Sequence, residues 1–384
     1  MISFSFLFIA FLYLLILVSK YTLSSKYLSK KKVDNTLQYT TTIVQPILSG
    51  DPLLEDMLTS NIVENLNNNF YWLIDDKDKV AQDIVNKIKT NYPSVKITVF
   101  SFPPCPMKIN PKVFKISQVI SKINTESFIV LDDDTYLPNK TLNTLVEQLN
   151  SCELSTALPF YRHNNTFFSK LMTQFVNNNS TLTYIPPLFF SKPLSINGMC
   201  YALKTKTAIE FDSFNGIKGF LADDLSLAKL LSNSNKRLIQ IVEPVFLQTF
   251  LNQGGVYSKL MHRWFLFAKL FLENHSFKNN FFMLISQGIH PFLLWSMFLL
   301  SIINQNMYEV FLLGSVLLLR AILLISINKK YTGLGNHNYL LSVISELLQP
   351  IHFIHSLVSR KIKWRTHYYH VIRNEEFYEL KNEK

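Results

Sequence analysis

Apolar sequence in this 384-residue chain is gathered toward its two ends, and that segregation limits what it can fold into more than any other feature. Residues Ile2 to Val18 are almost entirely apolar and are followed by Lys20, Lys26, Lys30, Lys31 and Lys32. A run of this length lies at the short end of what crosses a bilayer. A secretory signal carries its charge before the apolar core and ends at a small-residue cleavage site, whereas the charge here comes after. Residues 1–20 therefore read as an uncleaved signal-anchor helix, with a membrane-surface helix as the alternative. Residues 21–39 read as a basic linker, and the positive-inside rule places the chain beyond residue 20 in the cytoplasm.

Toward the other end, residues 281–303 and 307–327 are each long and apolar enough to span. The stretch 256–280 mixes Lys259, His262, Arg263 and Lys269 with Trp264, Phe265, Phe267 and Phe271, a composition suited to a helix at the membrane interface. The apolar segment 338–358 holds Glu346, Gln349, Pro350, His352 and His355 and has basic residues on both sides, so it is expected to be re-entrant or interfacial rather than a third crossing of this region. Arg320, near the cytoplasmic end of its span, is expected to snorkel, with a direct role on lipid phosphate as the alternative. A basic tail, 359–384, carries Trp364-Arg365 as a surface anchor.

These segments account for a hydrophobic content of 48%, high for a soluble protein. They also bear on the formal net charge of +11, because the basic residues lie mainly beside apolar segments. Anionic headgroups explain that placement more simply than nucleic acid, for which no motif is present. Cys105, Cys152 and Cys200 are odd in number and lack a CxxC spacing, which fits a reducing compartment and indicates neither zinc nor a redox pair.

Between the ends, over residues 40–255, short apolar runs alternate with polar, helix-like stretches, the signature of an α/β domain. Strands are predicted at 41–44, 70–74, 95–100 and 127–131, helices at 53–67 and 79–91, and loops at the Asn runs 67–69 and 177–179. The fourth strand leads into Asp132-Asp133-Asp134. Ligands of open α/β sheets sit beyond the carboxyl ends of strands. Carboxylates at i and i+2 on an extended turn can point to one side and hold Mg²⁺ or Mn²⁺, which prefer oxygen ligands and bridge to substrate phosphates. A solvated acidic turn before Pro138 would use the same residues.

A second cluster, Gly219 to Ala228 with Asp223-Asp224 at its centre, lies about ninety residues further on, and Arg263-Trp264 comes after it. With Gln45 to Pro52, Asn110-Pro111-Lys112, Leu158-Pro159-Phe160-Tyr161 and Asn197-Gly198-Met199, these elements stand in the order found in the ceramide glucosyltransferases, which the chain resembles from about residue 40 to 270 and in its general membrane layout. The resemblance implies an α/β nucleotide-diphospho-sugar transferase domain of the GT-A type, a Rossmann-like mixed sheet, with N-terminal and C-terminal transmembrane helices. It implies Asp76 on the nucleotide, Asp132 and Asp134 on the metal or donor sugar, and Asp224 as catalytic base. Lys112, Arg263 and Trp264 go with the donor, and Gly198, Asp223 and Trp264 with the acceptor side. Read without the family, Asp224 would be the N-cap of a helix over 225–231, and Arg263-Trp264 an interfacial anchor.

The reaction so implied is inverting transfer of a hexose, glucose from UDP-glucose first, to the hydroxyl of a membrane lipid. Ceramide is the first acceptor, with a hopanoid or diacylglycerol behind it. A processive polysaccharide synthase is a competing reading that shares the carboxylate pattern. A degenerate membrane scaffold is another, resting on Leu260, which stands where the family has Gln or Arg.

Overall fold

The computed structural model describes residues 2–29, 38–162, 166–193, 195–335, 337–364 and 367–380. Lys30, Lys31 and Lys32 of the basic flank and Arg365 of the tail lie outside the described residues. The chain divides into two compact units, one of Met1–Lys31, Asn165–Ser191 and Leu251–Ser359, the other of Lys32–Asn164, Lys192–Phe250 and Arg360–Lys384.

The second unit is built on an eight-stranded sheet of β1 (Thr42–Pro46), β2 (Asn69–Asp75), β3 (Ile97–Phe102), β4 (Ser127–Leu131), β5 (Thr135–Tyr136), β6 (Leu154–Tyr161), β7 (Cys200–Lys204) and β8 (Leu238–Leu247). Their order is β3-β2-β1-β4-β7-β6-β8-β5. β1, β2, β3 and β4 run parallel, with Ile43 opposite both Phe70 and Ile129, while β7 is antiparallel to β4 and pairs Tyr201 with Val130. The strands form because apolar, largely β-branched or aromatic runs are buried on both faces. In β4, Ile129 and Leu131 join Ile43, Trp72 and Ile241 on one side, and Phe128 and Val130 join Val44, Leu73 and Leu227 on the other, the period-two alternation of a pleated strand. Helices Leu54–Glu64 and Lys79–Asn91 occupy the predicted connections, and Asp78 caps the second by accepting from Ala81 N–H at 3.0 Å. A separate antiparallel sheet of β9 (Lys361–Trp364), β10 (His367–Arg373) and β11 (Glu376–Glu379) belongs to the same unit. This is the mixed α/β sheet of the GT-A type that the resemblance implies.

The first unit is helical. Among its described residues, four helices are long and apolar enough to cross a membrane: Phe4–Leu28, Phe277–Asn304, Met307–Thr332 and Tyr339–Val358. The first has 25 residues, or about 37 Å at 1.5 Å per residue, longer than the apolar run alone because its basic C-terminal turns continue the helix. The last is interrupted at Leu348, between Tyr339–Leu347 and Gln349–Val358, where Pro350 removes a backbone donor.

Two local expectations fail. The Asn run 177–179 lies inside the helix Phe167–Tyr184, where Asn177 and Asn178 are buried. Tertiary burial of one helix face outweighs the weak helix propensity of Asn. Arg320 does not snorkel: it is 2% exposed, with Nη2 2.7 Å from Glu346 Oε2, so a carboxylate inside the helical unit holds it.

Candidate active site

β1, β2 and β4 are parallel, so their carboxyl ends share one edge of the sheet. Asp75 and Asp76 stand there at the end of β2, Leu48 and Ser49 beyond β1, and Asp132 to Asp134 beyond β4. The antiparallel β7 starts at the same edge, and Asp132 N–H donates to Met199 O at 2.9 Å, which brings Asn197-Gly198-Met199 against the acidic turn.

Lys112 is the hub. It sits in the first turn of the helix Pro111–Ser117, whose start is fixed by Asn110 Oδ1 accepting from Lys112 N–H at 3.0 Å and by Pro111, which needs no intrahelical donor. Lys112 Nζ lies 2.7 Å from Asp132 Oδ1 and 3.6 Å from Asp223 Oδ2, and donates to Gly198 O at 2.7 Å. Burial works against its charge, but the two carboxylates hold its pKa well above the ordinary lysine value. Lys115, three residues on and so on the same helix face, reaches the neighbouring strand end, 2.8 Å from Asp75 Oδ2.

Asp223 and Asp224 open the helix Asp223–Asn233, whose N-cap is Ala222, so the N-cap expected at Asp224 is not formed. Asp224 Oδ1 instead accepts from Leu225 N–H at 2.7 Å. The turn into this helix is held from outside. Asn110 Nδ2 donates to Leu221 O at 3.0 Å. Asn374, in the turn between β10 and β11, accepts from Leu221 N–H with its carbonyl at 2.8 Å and from Ala222 N–H with its side chain at 2.7 Å, and donates to Ser226 Oγ at 3.0 Å.

Burial raises the pKa of Asp224, and the charge of Asp223 adds to it, bringing the carboxyl to about 7 against the pull of the Leu225 N–H. Burial also raises Asp223, with Lys112 opposing. Gly198 packs on Asp224: a Cβ there would sit 3.2 Å from Asp224 Cβ and 3.4 Å from its Oδ2.

Lys112, Asp132, Gly198, Asp223 and Asp224 are thus brought together. Asp134 Oδ1 accepts from Thr135 Oγ1 at 3.4 Å. Asp76 stands exposed at the end of β2, its N–H bonded to Phe102 O at 2.8 Å. Arg263 and Trp264 lie on the helix Gly254–Glu273 in the first unit, where Trp264 stacks on Phe175 with 6.0 Å between centroids. Three participants were not assigned roles from sequence: Asp133, whose Oδ2 accepts from Leu48 N–H at 2.9 Å, and Lys115 at the strand edge, and Asn374 at the start of the Asp223–Asn233 helix. The i, i+3 lysine spacing is a signal for Lys115. Nothing local marks Asn374.

No curated protein sequence matches the chain. Among solved structures it is similar to the mannosyltransferase PcManGT from Pyrobaculum calidifontis in complex with GDP-Man and Mn²⁺, at 15% identity and a TM-score of 0.51 over 91% of this chain and 97% of that one. It is also similar to S. aureus TarS 1-349 in complex with UDP-GlcNAc, at 10% identity and a TM-score of 0.39 over 90% of this chain and 100% of that one. The first likeness is one of fold, in keeping with the GT-A-type sheet. A family model, that of glycosyl transferase family 21, matches residues 4–377. The chain belongs to that family, the ceramide glucosyltransferase family, and is a glycosyltransferase.

Proposed function

We propose that the chain transfers a hexose, glucose from UDP-glucose first, to the hydroxyl of a membrane lipid with inversion at the anomeric carbon, and that ceramide is the first acceptor to test. The observation that carries this reading is Asp224, a half-buried carboxylate whose pKa burial and the charge of Asp223 raise to about 7, beside a lysine-centred acidic cluster at the strand ends. A general base works best with a pKa near the operating pH.

In this reading Asp224 takes the acceptor's hydroxyl proton as the oxygen attacks the anomeric carbon. The bond from that carbon to the diphosphate oxygen breaks on the opposite face, and its electron pair leaves with the nucleotide. Asp76 binds the nucleotide. Lys112 fixes Asp132 and Asp223 so that neither carboxylate takes the place of the base, and Gly198 leaves the acceptor side open next to Asp224. Arg263 suits the diphosphate, because guanidinium matches phosphate geometry, and Trp264 offers an apolar platform to the acceptor.

Among the described residues no three His, Cys, Asp or Glu side chains converge as a metal cage. Asp134 and Asp132 supply two hard oxygen donors, which fits Mg²⁺ or Mn²⁺, cations that bind through one or two carboxylates and fill their shell with water and substrate phosphate. When bound there, such an ion would supply Lewis-acid stabilisation of the departing diphosphate. The GDP-Man and Mn²⁺ in the Pyrobaculum enzyme are in keeping with a nucleotide-sugar donor and a divalent ion here. The four apolar helices suit an enzyme whose acceptor stays in the bilayer, and the lysines after the first of them suit a catalytic unit facing the cytoplasm.

The test is transfer of radiolabel from UDP-glucose into extractable lipid by membranes carrying wild type or Asp224→Asn, with ceramide added. Label in a ceramide glycolipid is expected for wild type alone, lost with EDTA and restored by Mn²⁺ or Mg²⁺. Failure of wild type with every UDP-sugar and lipid tried would overturn the proposal.

A further inference from the structure

The acidic turn is tied at its start to β7 through Asp132 N–H and to the loop after β1 through Asp133 Oδ2. Its end runs into β5, which has two residues and is the last strand of the sheet. A strand at a sheet edge has no neighbouring strand for one side of its backbone. Here a helix closes that side. Asn61 Nδ2 donates to Thr135 O at 2.8 Å and Asn61 Oδ1 accepts from Leu137 N–H at 2.8 Å, so one side-chain amide supplies the donor and the acceptor that a further strand would. Asn65 Nδ2 donates to Leu137 O at 2.9 Å, and Glu64 accepts from the Tyr136 hydroxyl at 2.7 Å and from Asn139 N–H at 2.9 Å.

Asn61, Glu64 and Asn65 stand at i, i+3 and i+4, so one face at the end of the helix Leu54–Glu64 grips residues 135–139. Asn61 and Asn65 are fully buried there, and a buried amide is costly unless it is bonded. Arg162, the residue after β6, adds a second hold. Its guanidinium lies over the rings of Tyr136 and Phe246, 4.4 Å from each centroid, and its N–H donates to Leu247 O at 2.9 Å, the residue that Thr135 pairs with. Tyr136, two residues beyond Asp134, is thus fixed at its hydroxyl by the helix and on its ring by Arg162.

We propose that Asn61 is a positioning residue for the divalent ion, with Glu64 and Arg162 supporting it through Tyr136. The grip on residues 135–139 fixes the backbone next to Asp134 and so restricts the arrangements open to its carboxylate. The inference rests on the reading of Asp132 and Asp134 as metal ligands. It adds residues that act through the chain rather than as ligands, a kind of support whose loss typically lowers metal affinity by about 10–100-fold.

The experiment measures Mn²⁺ binding and needs no sugar transfer. The purified full chain in detergent is titrated with MnCl₂ at saturating UDP, free Mn²⁺ is read by electron paramagnetic resonance, and thermal melting is recorded for each variant. Asp134→Asn tests the underlying reading: wild type is expected to bind Mn²⁺ far more tightly, and parity between the two would overturn that reading and this proposal with it. Asn61→Leu is expected to raise the Mn²⁺ dissociation constant by about 10–100-fold although both carboxylates remain. Tyr136→Phe, which removes only the bond to Glu64, should raise it by a smaller factor. Asn68→Ala is the control for lost stability, because Asn68 Oδ1 accepts from Thr41 N–H at 2.8 Å at the amino end of β1, the opposite edge of the sheet. It should melt lower and keep wild-type Mn²⁺ affinity. With Mn²⁺ binding established through Asp134, the positioning role is overturned by wild-type affinity in folded Asn61→Leu, or by an equal loss in Asn68→Ala, which would trace the effect to global stability. If Asn61→Leu does not fold, Tyr136→Phe decides, and an unchanged affinity there overturns the proposal.

Discussion

Asp224 is an acid made weak by its surroundings, and that has consequences of opposite sign for activity and stability. As a base it must be ionised, so kcat/KM for transfer is expected to rise with pH through about 7. Asp223→Asn removes the neighbouring negative charge that helps to raise Asp224, and the acid limb of the profile should move to lower pH; an unmoved limb would separate the two groups. Because the folded pKa lies above the ordinary value of about 4, the native state keeps a proton that the unfolded chain has lost between about pH 4 and 7, and stability falls as pH rises through that window. Asp224→Asn should then melt higher than wild type at pH 8 while transfer drops by about 10²–10⁴-fold, the usual worth of a general base. A variant both less stable and fully active would count against the assignment. Gly198→Ala tests the same carboxylate by contact. Its methyl would press on Asp224 at 3.2 Å, and kcat is expected to fall with little change in the KM for donor.

At the scale of elements, the helix Asp223–Asn233 depends on partners far away in sequence. Its N-cap, Ala222, has no side-chain oxygen, and the work of fixing the preceding turn is shared by Asn110 and Asn374. Asn374→Ala removes the acceptor for the buried Ala222 N–H and the donor to Ser226, which should cost about 1–3 kcal/mol in denaturant unfolding. If the strap also positions Asp224, kcat falls and the pH profile shifts; a merely structural role would leave the profile of the remaining folded enzyme in place. The short helix Pro111–Ser117 has the reverse character. Its Asn-Pro start and its lysines at i and i+3 are local, and they deliver one cation to each of two strand ends, Lys112 to Asp132 and Lys115 to Asp75.

For the molecule as a whole, two differently built units divide the stabilising forces. The sheet unit is held by apolar residues packed on both its faces, and the helical unit joins apolar helices around a buried charge cluster. Glu346→Ala is therefore expected to lower stability in detergent by about 3–5 kcal/mol, because it strands Arg320, and Arg320→Met in the same chain should recover most of that loss. Additive losses would show that the pair is not coupled. Local sequence was enough to read the order of strands and helices in the first half of the sheet unit, the ending of β4 in three carboxylates, and the apolar segments toward the ends, because each is written in periodicity and composition. It also carried the family, through short motifs standing in a recognisable order. Tertiary structure alone makes Lys112 bridge Asp132 and Asp223, straps the start of the Asp224 helix with Asn374, holds Asn177 and Asn178 in a helix, and pairs Arg320 with Glu346. Those outcomes depend on which distant groups share a desolvated space. Burial and unpaired charge are properties of that space, and no window of sequence contains them.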